Sequence, residues 1–355
     1  MSTAHNNTII LRPPELEHYP YIATLPTSDQ LLTSVQFTEV ELGAFKGSNI
    51  YQATIDRQCE WRAEWQQCRS VIANRNPDWG GAFTWLVHLY NGWLDFRIHP
   101  IRDLYLAAAT HISSRAFPSS LLSPNPTLEA ADDTKPILIP GVDSLNHKRA
   151  QPVTWSVNFP STSVPGNRQP TISLILRENT TAGSELFNNY GPKPNSELIL
   201  GYGFSLPNNP DDTILLKISG IDKKWEIRRS AQGAAAIWDE LFHIVEQDQD
   251  GSDQEVYETQ MDVADTLASM VQVLLEKLPL EEKVKDIDIR PEVLKMWKDY
   301  IQGTFLCFSI GPLSLNLSVP GQTDILSSLL IFCQNKESEA VELARSSGIE
   351  LVIES

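Results

Sequence analysis

The sequence predicts an α+β protein in two parts: short strands mixed with helices up to about residue 220, then an all-helical part over 221–355. Two observations carry this. Val153, Trp155, Val157 and Phe159 alternate with Thr154, Ser156 and Asn158, and a period of two marks a half-buried strand. Val263, Leu267, Met270, Val271, Leu274 and Leu275 instead recur at the 3.6-residue period of one helix face. Single cores stop growing at roughly 250–300 residues, so a chain of 355 is expected to hold two domains.

The elements follow in order. The first 115 residues read as mostly helical, with runs Trp61 to Ile72, Ala82 to Tyr90 and Ile101 to Ile112 divided by Asn76-Pro77 and Asn91-Gly92. Pro118 to Pro136 is rich in Pro, Ser, Asn and Asp and reads as an exposed loop. Short apolar segments come next: Ile137 to Ile139, the alternating run at 153–159, Thr171 to Leu176 after a loop at 160–170, and Thr213 to Ile218. Beyond about residue 230 the helical period returns. Pro291 suits a helix start, where its missing N–H does no harm; Val293, Leu294, Trp297, Tyr300 and Ile301 make the stripe and Gly303 is placed to end it. Ile325 to Cys333 and Glu337 to Ser346 read as two further helices.

Composition limits the function. With 41% hydrophobic and 21% charged residues, 18 Gly and 23 Pro, neither disorder nor a fibrous repeat accounts for the chain. The 28 Lys and Arg against 45 Asp and Glu leave a charge of −17, which disfavours coating a nucleic acid or an anionic membrane. A basic protein segment is the more natural partner. Cys59, Cys68, Cys307 and Cys333 form no C-x-x-C pair, and no Cys/His cluster has zinc spacing, so no metal is expected. No run of about 18 apolar residues and no secretory leader is read, so an intracellular protein of cytoplasm or nucleus is expected. Phosphate-loop and nucleophile-elbow motifs are absent, and Leu206 stands where Gly201-Tyr202-Gly203 would need a third glycine for dinucleotide binding. The run Glu246, Asp248, Asp250, Gly251 resembles the front of a calcium loop, but Tyr257 occupies the position of the bidentate Glu.

Two segments carry chemistry. In Asp143-Ser144-Leu145-Asn146-His147 an amide and an imidazole stand side by side, able to read a heterocycle such as adenine. An Asx-type turn with a surface histidine is the plainer alternative. The stretch 183–191 ends in Asn188-Asn189-Tyr190-Gly191 and continues through Asn195, Glu197 and Leu198 to Tyr202-Gly203-Phe204. Tyrosines beside glycine bring a phenol and exposed carbonyls close to a ligand, though such pairs also serve as turn and core features.

Taken in this order, the D-x-x-N-H segment and the Y-G, N-x-E-L and Y-G-F segment resemble SET-domain protein lysine methyltransferases of the Rubisco large-subunit methyltransferase-like branch. The segment Tyr19 to Pro26, the run Ser114-Arg115-Ala116-Phe117 and the helical C-terminal part agree with it. The resemblance implies a SET domain over 1–220, with a helical insert at about 15–115 and a catalytic core at about 116–205 whose C-terminal segment is pseudoknotted. An all-α substrate-binding domain over 221–355 would dock the protein substrate. It further implies S-adenosyl-L-methionine as cofactor, held by Asn146, His147 and Tyr190, with Tyr190 catalytic. Ser114, Arg115, Phe117, Asp143 and Tyr202 would surround the substrate lysine, with Phe117 and Tyr202 as channel walls. Family members also carry, ahead of the segment matching Tyr19 to Pro26, a first SET portion with a G-R-G-like motif; the 18 residues preceding that segment here contain none. The expectation is therefore weak cofactor binding by this chain, from truncation or degeneracy. A non-catalytic SET-like binding module and a histidine methyltransferase of the same branch stand as alternatives.

Overall fold

A computed structural model of the chain describes residues 18–75, 100–123, 125–129, 131–158, 171–248, 255–285, 287–302, 306–310, 313–317 and 321–349. The expected helix at 82–90, the loop at 160–170, Phe159 and Gly303 lie outside the described residues. Contacts divide the chain into two units, 1–31 with 57–192 and 32–56 with 193–355.

In the first unit, helix α1 (Tyr19–Ile22) has a proline in its first turn. Helix α3 (Asn49–Arg75), which enters this unit at Arg57, and helix α4 (Pro100–Arg115) meet through Trp65, whose buried ring lies edge-on to Tyr105 at 5.0 Å. Such a pair adds about 0.5–1.5 kcal/mol to the burial itself. Strand β1 (Phe117–Pro118) pairs antiparallel with β2 (Pro136–Ile137), so the intervening loop is closed at its base. Strands β3 (Val153–Asn158) and β4 (Thr171–Leu176) pair antiparallel from Val153 opposite Leu176 to Asn158 opposite Thr171. Exposed and half-buried residues alternate along β4, as the period of two requires.

The second unit has one large core, with a small separate cluster at Tyr257, Ala340 and Ala344. Helix α2 (Glu39–Gly43) opens with a capping box: Thr38 Oγ1 accepts from the Glu41 N–H at 3.1 Å, and the Glu41 carboxylate accepts from the Thr38 N–H at 2.9 Å. The same carboxylate takes two side-chain bonds from Arg290, Nε at 2.7 Å and Nη2 at 2.8 Å, and one from its backbone N–H at 3.2 Å, joining 32–56 to the C-terminal half of the unit. Burial pushes the Glu41 carboxyl up, but the hydrogen bonds from Arg290 and the Thr38 N–H outweigh it and hold the group below its ordinary 4.5. Around this tie, Phe37, Phe45 and Tyr300 stack in sequence, and Trp297 Nε1 donates to the Ala44 carbonyl at 2.8 Å. Helix α5 (Asn195–Tyr202) is followed by β5 (Thr213–Leu216), antiparallel to β6 (Trp225–Arg228).

The helices α6 (Ala234–Asp248), α7 (Val256–Lys277), α8 (Glu281–Val284), α9 (Pro291–Trp297) and α10 (Gln322–Ser346) complete the unit. Helix α7 buries Val263, Leu267 and Val271 completely, the face its periodicity assigned. Each such side chain contributes about 1.5–3 kcal/mol.

Two expectations for 221–355 need correction. The region is helix-rich, yet it also contains β6 and the antiparallel pair β7 (Leu306–Ile310) and β8 (Leu313–Leu317). In β6, Trp225 and Ile227 are buried while Glu226 and Arg228 are exposed, a strand alternation only four residues long. The runs expected as separate helices at 325–333 and 337–346 form one helix, α10, because no glycine or proline interrupts them.

Candidate active site

The two motif segments meet side by side in the first unit. His147 and Asn188 form a parallel bridge, in which the Asn188 N–H donates to the Asn146 carbonyl at 2.8 Å and the Lys148 N–H to the Asn188 carbonyl at 2.9 Å. Gly141 turns the chain into this bridge with a φ of +84°, a conformation that costs glycine nothing. Two residues beyond Asn188, the Tyr190 N–H donates to His147 Nδ1 at 3.0 Å, and its ring stacks on the imidazole with centroids 5.0 Å apart. Because Nδ1 accepts, the neutral ring carries its proton on Nε2, so tautomer and orientation are both fixed. The Tyr190 phenol donates to the Leu145 carbonyl at 2.8 Å. Asn146 is exposed, and its Nδ2 donates to Glu185 Oε1 at 2.6 Å. Thus Asn146, His147 and Tyr190 stand together.

A second cluster in this unit is built on Asp143, whose side chain is 1% exposed. The Tyr21 phenol donates to its Oδ2; Arg115 Nη1 lies 3.7 Å from the same oxygen and donates to the Asp143 carbonyl at 3.2 Å. Oδ1 is buried and has no hydrogen-bond partner among the described residues. Burial and the bond to Asp143 push the Tyr21 phenol up to about 12, so it stays a donor at neutral pH. His111, in the turn of α4 before Arg115, bonds the Pro26 carbonyl through Nε2 at 3.0 Å and ties the 19–26 segment to that helix. Burial pushes its imidazole down. Ser114 donates its hydroxyl proton to the Thr110 carbonyl at 2.7 Å, within its own helix, so that proton is committed. Phe117 is half-buried, with Trp155 edge-on to it at 5.6 Å.

Tyr202 belongs to the second unit, as the last residue of α5. Lys193 Nζ sits 5.8 Å from the centre of its ring and pairs with Glu197 at 2.9 Å; burial pushes the Tyr202 phenol up. Asn195 closes α5 on itself. Its side chain both donates to the Leu206 carbonyl and accepts from the Leu206 N–H, at 2.9 and 2.8 Å. Asp212 accepts from the Asn195 N–H and side chain at 2.6 and 2.9 Å, and burial pushes its carboxyl up to about 7. Gly203 ends the helix at φ +78°, where a Cβ would lie 2.7 Å from the Leu32 carbonyl carbon.

No family model matches the sequence. Among solved structures, that of Rubisco LSMT bound to sinefungin and monomethyllysine aligns with a TM-score of 0.60 at 16% identity, covering 92% of this chain and 72% of that one. The SET domain of LSMT bound to lysine and AdoHcy aligns with a TM-score of 0.57 at 14% identity, covering 96% and 74%. The chain has the SET-domain fold. Its sequence is also 35% identical over 201 residues to a ribosomal lysine N-methyltransferase of Schizosaccharomyces pombe, covering 57% of this chain and 30% of that protein. A ribosomal lysine N-methyltransferase of Saccharomyces cerevisiae is 37% identical over 105 residues, 30% of this chain and 15% of its own. The chain thus spans under a third of the length of these relatives.

Three neighbours of the expected site residues are not encoded locally in the sequence. Glu185 against Asn146, Trp155 against Phe117 and the Tyr21 phenol on Asp143 are all long-range partners. Tyr21 belongs to the 19–26 segment that resembles the family, but nothing local ties it to a residue 122 positions away.

Proposed function

We propose that this SET-fold protein methylates a lysine side chain of a protein substrate with S-adenosyl-L-methionine. The observation that carries the reading is the bridge at His147 and Asn188, which sets Tyr190 against His147 with ring, backbone and phenol all engaged. The relatives named as lysine methyltransferases support it. The donor set suits the cofactor: the Asn146 amide and an imidazole with a fixed tautomer for the adenine, with Tyr190 beside them. When bound, S-adenosylmethionine would supply a methyl group on a sulfonium, whose S–C electrons would stay on sulfur as the amine lone pair took the methyl and an amine proton left to water.

The chain's own residues position and desolvate. A lysine amine with an ordinary pKa of about 10.4 arrives protonated. Asp143 Oδ1, buried and without a partner among the described residues, receives the ammonium. Phe117, backed by Trp155, supplies an apolar wall that lowers the amine's proton affinity against the opposing pull of the Asp143 carboxylate. The Tyr190 phenol and the Leu145 carbonyl direct the amine into line. An apolar aromatic at Phe117 suits the long alkyl chain of lysine, whereas an imidazole acceptor would call for a polar partner there, so lysine is favoured over histidine as acceptor.

The C-terminal helical region over 221–355 is the docking element in this proposal. From Ala231 to Glu276 it carries 11 Asp or Glu and no Lys or Arg, which suits a basic protein such as a ribosomal protein. Cytoplasm or nucleus fits that substrate; among the described residues no helix is long and apolar enough to cross a membrane. Incubation with radiolabelled S-adenosylmethionine and isolated ribosomal proteins tests the proposal. Label incorporated by the parent and lost in His147→Ala is the expected result; incorporation unaffected by that change overturns the assignment of the site.

A further inference from the structure

Asp143 is held by more than its own segment requires. Its side chain is 1% exposed, Oδ2 takes the Tyr21 phenol and faces Arg115 at 3.7 Å, and Arg115 also bonds the Asp143 carbonyl. These contacts come from two other stretches of the first unit, and two of them converge on one carboxylate oxygen. The other oxygen, Oδ1, is buried and has no partner among the described residues. A buried carboxylate oxygen without a donor is costly, so it marks a place where a cationic donor completes the set.

We propose that Tyr21 is a positioning residue for the substrate amine: by occupying Oδ2 together with Arg115, it fixes the rotation of the Asp143 carboxylate and presents Oδ1 to the lysine ammonium. The inference rests on the lysine-methyltransferase reading above. Tyr21 touches neither amine nor cofactor in this account and acts through Asp143. Its phenol, pushed up to about 12, remains a donor across the working pH range, so the fixation does not lapse in mild alkali. His111 bonding Pro26 holds the segment that delivers the phenol.

The test is a double-mutant cycle in the full protein with a lysine-bearing substrate. Tyr21→Phe should lower kcat/KM by about 10–100-fold, chiefly through KM for the substrate, as expected for one hydrogen bond to a charged group. Affinity for S-adenosylhomocysteine, measured by calorimetry, should stay within about twofold of the parent. In an Asp143→Asn background the same change should cost less than about twofold, because the carboxylate it orients is gone. Should Phe lower the melting midpoint, 3-fluorotyrosine at position 21 keeps the ring and alters only the donor, and KM should still move. A parent that methylates lysine while Tyr21→Phe matches it in KM and kcat overturns the positioning role alone. Losses that multiply independently in the double variant, or an S-adenosylhomocysteine affinity that falls in parallel, also overturn it. A parent that methylates no lysine overturns the functional reading and this role with it.

Discussion

Replacing Tyr190 by Phe separates the chemistry of the site from its architecture. The connections of the tyrosine include its N–H to His147 Nδ1 at 3.0 Å, its ring stacked on the imidazole at 5.0 Å, and its phenol to the Leu145 carbonyl at 2.8 Å. Phenylalanine keeps the first two, which use backbone and ring, and loses the phenol's bond to Leu145. One neutral hydrogen bond is worth about 0.5–1.5 kcal/mol of stability, so the melting midpoint should fall by no more than about 2–6 °C. The rate should respond far more. Losing one oriented hydroxyl from a preorganised site typically costs 10²–10³, or about 2.7–4 kcal/mol of the barrier. Single-turnover transfer of a labelled methyl group, with thermal unfolding of the same preparations, measures both. Activity within about threefold of the parent would refute the reasoning, as would a loss of activity matched by wholesale unfolding.

Two further changes probe the second unit. Glu41→Gln should destabilise by about 2 kcal/mol in urea unfolding, less than the 3–5 kcal/mol of a fully buried pair because Arg290 is 34% exposed. Since the folded carboxyl lies below its ordinary 4.5, the stabilisation is present above that pH and is lost as pH falls through the folded value; parent and variant should therefore converge in acid, and a constant gap would contradict the assignment. Gly203→Ala should cost about 2–4 kcal/mol, from the left-handed backbone and a Cβ placed 2.7 Å from the Leu32 carbonyl carbon; an unchanged urea midpoint would show that the turn relaxes freely.

Legibility followed how locally each feature is encoded. The alternation at 153–158 and the face Val263, Leu267, Val271 were readable because each period repeats several times within one element. Strand β6 was not, since Trp225 and Ile227 give only two beats beside the charged pair Lys223-Lys224. The β7 and β8 runs each hold only five residues, too few for a period of two to stand out within a helix-rich stretch. Compact units dividing at 192/193, with 32–56 counted with the C-terminal half, follow from ties such as Glu41 to Arg290, 249 positions apart, which leave no trace in local composition. The site shows the same division. The grouping of Asn146, His147 and Tyr190 is expected from the resemblance, but the tautomer of His147 depends on a backbone N–H 43 residues away. The oxygen of Asp143 left for a ligand depends on Tyr21 and Arg115.

The central claim is that this site places a methyl group on the nitrogen of a protein lysine, and peptide mass spectrometry tests it most directly. The protein is incubated with S-adenosylmethionine bearing a trideuterated methyl group and with isolated ribosomal proteins, and every modified residue is located by fragmentation. The account predicts the heavy methyl on lysine Nζ, at a level that falls about 10²–10³ in Tyr190→Phe. A heavy methyl found only on histidine, or found equally with both proteins, would contradict it.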